Sequence, residues 1–183
     1  GSEPHSTVDS CLRLMVIKYF DERMSPQNGA SLTALSIHYA LSMGAHLINI
    51  SGGGPKAHPL EKAALHMAEQ KNVLVVAAAG NESSNADIKP FFPASYGMSN
   101  IISVAATNRE GKLLESSNFG RKNVDIAALG DAVWSTLPGN KFGPMTGTSQ
   151  ATAVVSRLVG LYLQNKQNEI TNLDQLKSQV WKR

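Results

Sequence analysis

Val73 to Ala79 reads VLVVAAA, seven residues without a polar side chain. A strand of that composition has no face to turn toward water, so it must be covered on both sides. Leu47 to Ser51 (LINIS) and Ile101 to Thr107 (IISVAAT) have the same character. Helical stretches lie between them. Ser31 is placed to cap a helix with Leu32, Leu35, Tyr39 and Met43 on one face, and Gly44 stops it. Pro59 suits the first turn of a second helix through Gln70, with Leu60, Ala64, Met67 and Ala68 at helical spacing. Apolar strands separated by helices predict a parallel sheet between helical layers, an α/β doubly wound fold.

Other segments extend this pattern. Leu12 to Phe20 (LRLMVIKYF) is a further apolar run rich in strand formers, and Val124 to Ala128 reads as a later strand. The Val133 to Met145 region has the look of an irregular hairpin. Two last helices are expected, from Ser149 to about Gln164 and from Thr171 to Val180, where Thr171 and Asp174 have capping-box spacing. A length of 183 residues fits one domain over 12–183, with 1–11 as a flexible lead-in. Gly1-Ser2 reads as a scar of tag removal, so the natural protein is expected to begin upstream.

Composition narrows the function classes. Hydrophobic residues at 42% against 17% charged residues give a sizeable core and exclude disorder along the whole chain. The net charge of +3 comes from basic residues scattered singly or in pairs, which is no nucleic-acid footprint. No apolar run approaches the length of a membrane-spanning helix. Neither nucleic acid nor membrane is therefore expected as a partner. The single cysteine, Cys11, excludes an internal disulfide and reads as a small buried hydrophobe. Acidic residues are dispersed, without metal-ligand spacing.

Three constellations could carry chemistry. Gly147-Thr148-Ser149-Gln150-Ala151-Thr152 opens an apolar helix. A serine there has its hydroxyl beside unpaired backbone donors, as a nucleophile needs, although a helix cap uses the same residues. Ala77-Ala78-Ala79-Gly80-Asn81 is a buried strand emerging into a loop, where the asparagine is either an oxyanion donor or a turn residue. Asn49-Ile50-Ser51-Gly52-Gly53-Gly54 is a glycine-rich strand end that lets a peptide or a phosphate approach the backbone. It lacks the lysine and hydroxyl pattern of a P-loop.

Taken together, these three segments resemble the subtilisin-like serine proteases, the subtilases. Pro93-Ala94-Ser95-Tyr96, Ile102-Ser103-Val104-Ala105-Ala106, Ser117-Asn118-Phe119-Gly120 and Val124-Asp125-Ile126-Ala127-Ala128 follow in the family's order, so the resemblance covers roughly residues 12 to 180. It implies a three-layer α/β/α fold with N-terminal strands missing, and peptide-bond hydrolysis through an acyl-enzyme. Ser149 would be the nucleophile. Asn81 would donate its amide to the oxyanion. Ser51, Gly52 and Gly53 would bind an extended substrate as an added strand, and with Ala78, Ala79 and Gly80 would line the pocket for the residue preceding the scissile bond. These small walls point to a roomy, mostly apolar pocket. No cofactor is required, though the family admits calcium, here near the Ala79 to Tyr96 loop, and favours a secreted or periplasmic location.

The chain departs from the family in two ways. Ala153 and Val154 replace the usual Pro-His after the nucleophile, and both suit a helix interior. More importantly, the family's aspartate motif (Asp-Thr-Gly or Asp-Ser-Gly) and its His-Gly-Thr-His motif do not occur. Triad chemistry needs both groups. Of the histidines, His38 and His66 read as helical, His46 precedes a strand at the far end from the site, and His58 sits at a helix start. His5 is on the lead-in. The chain is therefore expected to be the C-terminal portion of a catalytic domain, inactive alone. The alternative is a non-catalytic pseudoprotease or peptide-binding module on the same fold. The expected partners are a peptide or protein substrate and either the missing N-terminal half or a second copy, pairing along the Leu12–Phe20 strand.

Overall fold

The structure is a computed structural model and describes residues 12–19 and 29–165. Helix α1 (Gly29–Ser42) is followed by β1 (Leu47–Ile50), α2 (Pro59–Gln70) and β2 (Leu74–Ala78). A 3-10 turn (Ala94–Tyr96), β3 (Ile101–Thr107) and β4 (Ile126–Leu129) come next, then β5 (Val133–Leu137), β6 (Lys141–Met145) and α3 (Thr148–Asn165). Strands β1 to β4 form one sheet in sequence order, every pair parallel. The hairpin β5–β6 is antiparallel and separate from it.

Strand alternation divides β2 between two cores. Val75 and Ala77 face the helical layer of α1 and α2, where Ala34, Ile37, Leu41, Ala64, Leu65 and Ala68 meet them. Leu74 and Val76 face α3, packing with Ile102, Val104, Val155 and Val159. All of β2 is buried. The result is the expected three-layer α/β/α arrangement, and the strands over 47–50, 74–78 and 101–107 fall where the apolar runs place them.

Three expectations are corrected. Leu12 to Tyr19 form no strand, and Leu14 and Val16 are 94% and 89% exposed. A strand exists only with a ladder partner; here the Leu12 side chain instead lies 3.3 Å from where a Cβ on Gly160 of α3 would be. On α1 the expected stripe is the outer one: Leu35, Tyr39 and Met43 are exposed, while Thr33, Ala34, Ile37, Ala40 and Leu41 are buried. On α2 the expected face holds in part: Ala64 and Ala68 are buried, with Leu65 beside them, while Leu60 and Met67 point out. Both stripes have helical spacing, and close packing between two helices and a sheet selects the smaller side chains. Phe20, residues 1–11 and the helix expected over 171–180 lie outside the described residues.

The expected helix from Ser149 is present, beginning at Thr148. Gly44, with φ +76, ends α1. His58 is the N-cap of α2, His46 precedes β1, and His38 and His66 are exposed on α1 and α2.

Candidate active site

Parallel strands bring the ends of β1 and β2 out on the same side of the sheet, and the N-terminus of α3 lies against them. Sites in open α/β sheets sit at this carboxyl edge. Ser51, directly after β1, exchanges two hydrogen bonds with Ser149. The Ser149 hydroxyl donates to the Ser51 carbonyl at 2.8 Å, and the Ser51 hydroxyl donates to the Ser149 carbonyl at 3.1 Å. Asn49 steadies this link from below. Its amide donates to Ser51 Oγ at 2.9 Å, and its Oδ1 accepts from Ser156 Oγ at 2.8 Å.

Gly80 turns the chain out of β2 with φ +102, a conformation that suits glycine. It places Asn81 beside the start of α3. The Thr148 N–H donates to Asn81 Oδ1 at 2.9 Å. A backbone N–H demands an acceptor, so this bond sets the amide's orientation and leaves Nδ2 at its other end. Among the described residues, neither Asn81 Nδ2 nor the Ser149 N–H is spent on a protein acceptor. Two unspent donors beside a half-buried serine hydroxyl can receive an oxyanion, aided by the positive end of the 18-residue helix α3.

Gly147 makes that approach possible. Its φ is +150, and a Cβ on it would lie 3.3 Å from both Asn81 Oδ1 and Gln150 Oε1. Its N–H donates to the Gly130 carbonyl at 2.8 Å, tying the entry of α3 to the loop after β4.

The loop that carries Asn81 is clamped by Asn118, which is buried to 1% exposure. Asn118 Nδ2 donates to the Ala79 carbonyl at 2.8 Å and to Glu82 Oε2 at 2.6 Å. Its Oδ1 accepts the N–H groups of Glu82 and Ser84, at 3.1 and 2.9 Å, and its own N–H donates to the Gly80 carbonyl. Five bonds from one side chain and its backbone thus fix residues 79–84. Sequence reasoning named Asn49 and Asn118 only within their motifs, without a role of their own, and passed over Ser156. The available signal was an asparagine inside the Ser117–Gly120 stretch, without sign of its burial.

The predicted substrate-binding residues form two walls. Ala78, Ala79 and Gly80 are buried at the end of β2, and Ser51 to Gly53 continue β1. The backbone groups of Gly52 and Gly53 make no hydrogen bond among the described residues. The Phe91 ring touches both walls, so the space between them is narrower than small wall residues imply.

On the other side of Ser149 the site is open. A depression of about 470 Å³ is lined by Ser51, Ser149, Trp134, Ala153, Val154 and Arg157 among others. No histidine bonds Ser149 among the described residues, and His5 lies outside them. No group of three or more His, Cys, Asp or Glu gathers there either. In the Ala79–Tyr96 loop, Asp87 commits both carboxylate oxygens to the N–H groups of Arg121, Lys122 and Asn123, bonds that hold its carboxyl below the ordinary range. Glu82 turns one oxygen to Asn118. This donor set does not fit a carboxylate-held calcium ion.

The family model described as the subtilase family matches residues 11–180. The major intracellular serine protease of Bacillus subtilis (strain 168) is 38% identical over 127 residues, covering 68% of this chain and 39% of that protein. Thermitase of Thermoactinomyces vulgaris is 38% identical over 128 residues, 70% of this chain and 44% of that protein. The chain thus matches less than half the length of these relatives. Among solved structures, that of the patellamide maturation protease PatA superposes with a TM-score of 0.72 at 31% identity, covering 81% of this chain and 56% of that one. The ordered motifs, the α/β/α fold and these matches agree, and the chain belongs to the subtilase family.

Proposed function

We propose that this chain carries the nucleophile and the oxyanion hole of a subtilisin-type serine endopeptidase. The observation behind this reading is the pair of unspent donors, Asn81 Nδ2 and the Ser149 N–H, at the start of α3 that carries the Ser149 hydroxyl, with Asn81 oriented by Thr148. Ser149 Oγ attacks the scissile carbonyl carbon and gives its proton to a general base. The two donors take up the charge on the carbonyl oxygen. The amine then leaves with that proton, and water hydrolyses the acyl-enzyme. Ser51, Gly52 and Gly53 hold the substrate backbone, and Ala78 to Gly80 form the opposite wall.

In the present arrangement the Ser149 proton rests on the Ser51 carbonyl, which cannot act as a base. These 183 residues contain neither the aspartate motif nor the His-Gly-Thr-His motif. Alone, they are therefore inactive, and the base enters the depression beside Ser149 from elsewhere in the protein. Among the described residues the sheet has two edge strands, β1 and β4, and β1 is the one that leads into Ser51 and the site. A strand from the missing half, or from a second copy, pairs there rather than along residues 12–20. Sedimentation of this chain alone as a stable monomer would remove that pairing from the proposal.

The test of the activity is intact-mass analysis after treatment with a fluorophosphonate probe. The full-length protein should gain one adduct, mapped to Ser149 and lost in Ser149→Ala, whereas the 183-residue chain should gain none. An unlabelled, folded full-length protein would make this a peptide-binding module without hydrolytic activity.

A further inference from the structure

Strands β1 and β2 pair with Ile50 opposite Ala77. Past the strand ends the chain leaves this ladder, and Gly53 and Gly80 come to face the same Phe91 ring. Both walls lead to the nucleophile: Ser51 through its reciprocal bonds with Ser149, and Asn81, next after Gly80, through the Thr148 N–H. The gap between the two glycines is therefore where the side chain preceding a scissile bond would enter.

Phe91 occupies that gap. Its Cε1 lies 2.6 Å from the position a Cβ on Gly53 would take, and its Cδ2 lies 2.9 Å from that of a Cβ on Gly80. These are diametrically opposite atoms of the ring, so the ring bridges the walls. Any side chain at position 53 or 80 would collide with it. A Cβ would meet the Phe92 carbonyl at Gly53, and Asn118 Nδ2 and Glu82 Oε2 at Gly80, before it met the ring, so the glycines admit these groups together with Phe91 and the filled gap disfavours a large ligand side chain.

The backbone around Phe91 holds the ring in place. Gly54 and Phe92 exchange N–H···O bonds of 2.8 Å in both directions. The Phe91 N–H donates to Ser95 Oγ at 3.1 Å, and the Ser95 N–H returns to the Phe91 carbonyl at 2.9 Å. The Phe92 ring packs on Tyr96 at 4.7 Å between centroids. Withdrawing Phe91 would break several of these contacts together. The ring is half-buried, so it retains a free face.

We propose that Phe91 forms the floor of the pocket for the residue preceding the scissile bond and restricts that residue to glycine, alanine or serine. This rests on the proposed catalytic role of Ser149 and names the substrate class of the same site. A hydrophobic pocket discriminates by about 10–200-fold for each methylene it accommodates or refuses.

The experiment uses the full-length protein and two peptide anilides that differ only in alanine or phenylalanine before the scissile bond. The alanine substrate should be preferred by at least about tenfold in kcat/KM. Phe91→Gly should raise kcat/KM on the phenylalanine substrate about 10–200-fold, with Phe91→Leu intermediate should the glycine variant fail to fold. Equal or faster cleavage of the phenylalanine substrate by the unaltered protein would overturn the proposal, as would an unchanged ratio in both variants. If neither substrate is cleaved and Ser149 is unlabelled, the protease reading fails separately. Calorimetry with product peptides ending in alanine or phenylalanine then decides about Phe91. Tighter binding of the alanine peptide, reversed by Phe91→Gly, supports the floor; equal binding of the two, or none, overturns it.

Discussion

The two sides of Ser149 are built to different degrees. Toward Asn81, every group that sets geometry is held: Thr148 orients the amide, Asn118 clamps the loop, and Gly147 and Gly130 bring the backbones together. Toward Trp134 and Arg157 there is a depression, and among the described residues the hydroxyl proton is donated to a carbonyl. An oxyanion hole needs donors fixed before the reaction, and on the proposed reading one stretch of fold from β2 to α3 supplies them. A general base needs a titratable group within hydrogen-bond reach, and among the described residues no histidine bonds Ser149. On the proposed reading, electrostatic preorganisation and proton transfer are supplied by different parts of the protein.

This contrast breaks if Asn81 proves dispensable. In the full-length protein, Asn81→Ala should lower kcat by about 10²–10³ and leave KM nearly unchanged, because its amide is called on only when the oxyanion forms. Asn118→Ala leaves the donors present but frees the loop that carries one of them, and should cost less in kcat than Asn81→Ala. It also strips Ala79 O and the N–H groups of Glu82 and Ser84 of their buried partner, for about 1–3 kcal/mol of stability. Steady-state kinetics and thermal unfolding read the two effects. Loss of kcat only in proportion to unfolding would make Asn118 a structural residue alone.

How far the sequence revealed this depended on the range of the signal. Ser149 and Asn81 stand in local patterns, a glycine before a helix start and a glycine after an apolar strand, and their proximity follows from the order of a parallel sheet. The strands of 47–50, 74–78 and 101–107 were legible because complete apolarity leaves little choice of environment. Helix faces were not. Leu35, Tyr39 and Met43 outweigh Ala34, Ile37 and Leu41 in hydrophobic mass, yet close helix packing buried the smaller set. Residues 12–19 read as a strand by composition, but strand structure depends on a neighbour. Phe91 escaped notice for a related reason. Small wall residues imply space, and only the path of a distant loop shows that the space is filled.

A last variant sharpens the contrast from outside the site. Glu61 lies in the first turn of α2, 4% exposed, with its Oε2 accepting from Tyr96 Oη at 2.9 Å. Burial raises its pKa above the ordinary carboxylate value, and the Tyr96 bond and nearby His58 offset this only in part. Tyr96 is itself pushed up to about 12, chiefly by burial. For a carboxyl raised in the folded state, stability is complete below the unfolded pKa and falls as pH rises through the folded one. Glu61→Gln keeps an acceptor for Tyr96 and removes the titration. The variant should match the unaltered protein in thermal unfolding at pH 4 and unfold at a higher temperature than it at pH 8. Its kcat should not change at either pH, because Glu61 makes no contact with the oxyanion donors. A change in kcat would show that the helical layer and the site are coupled through the sheet, and the division between a finished and an unfinished side of Ser149 would have to extend into the core.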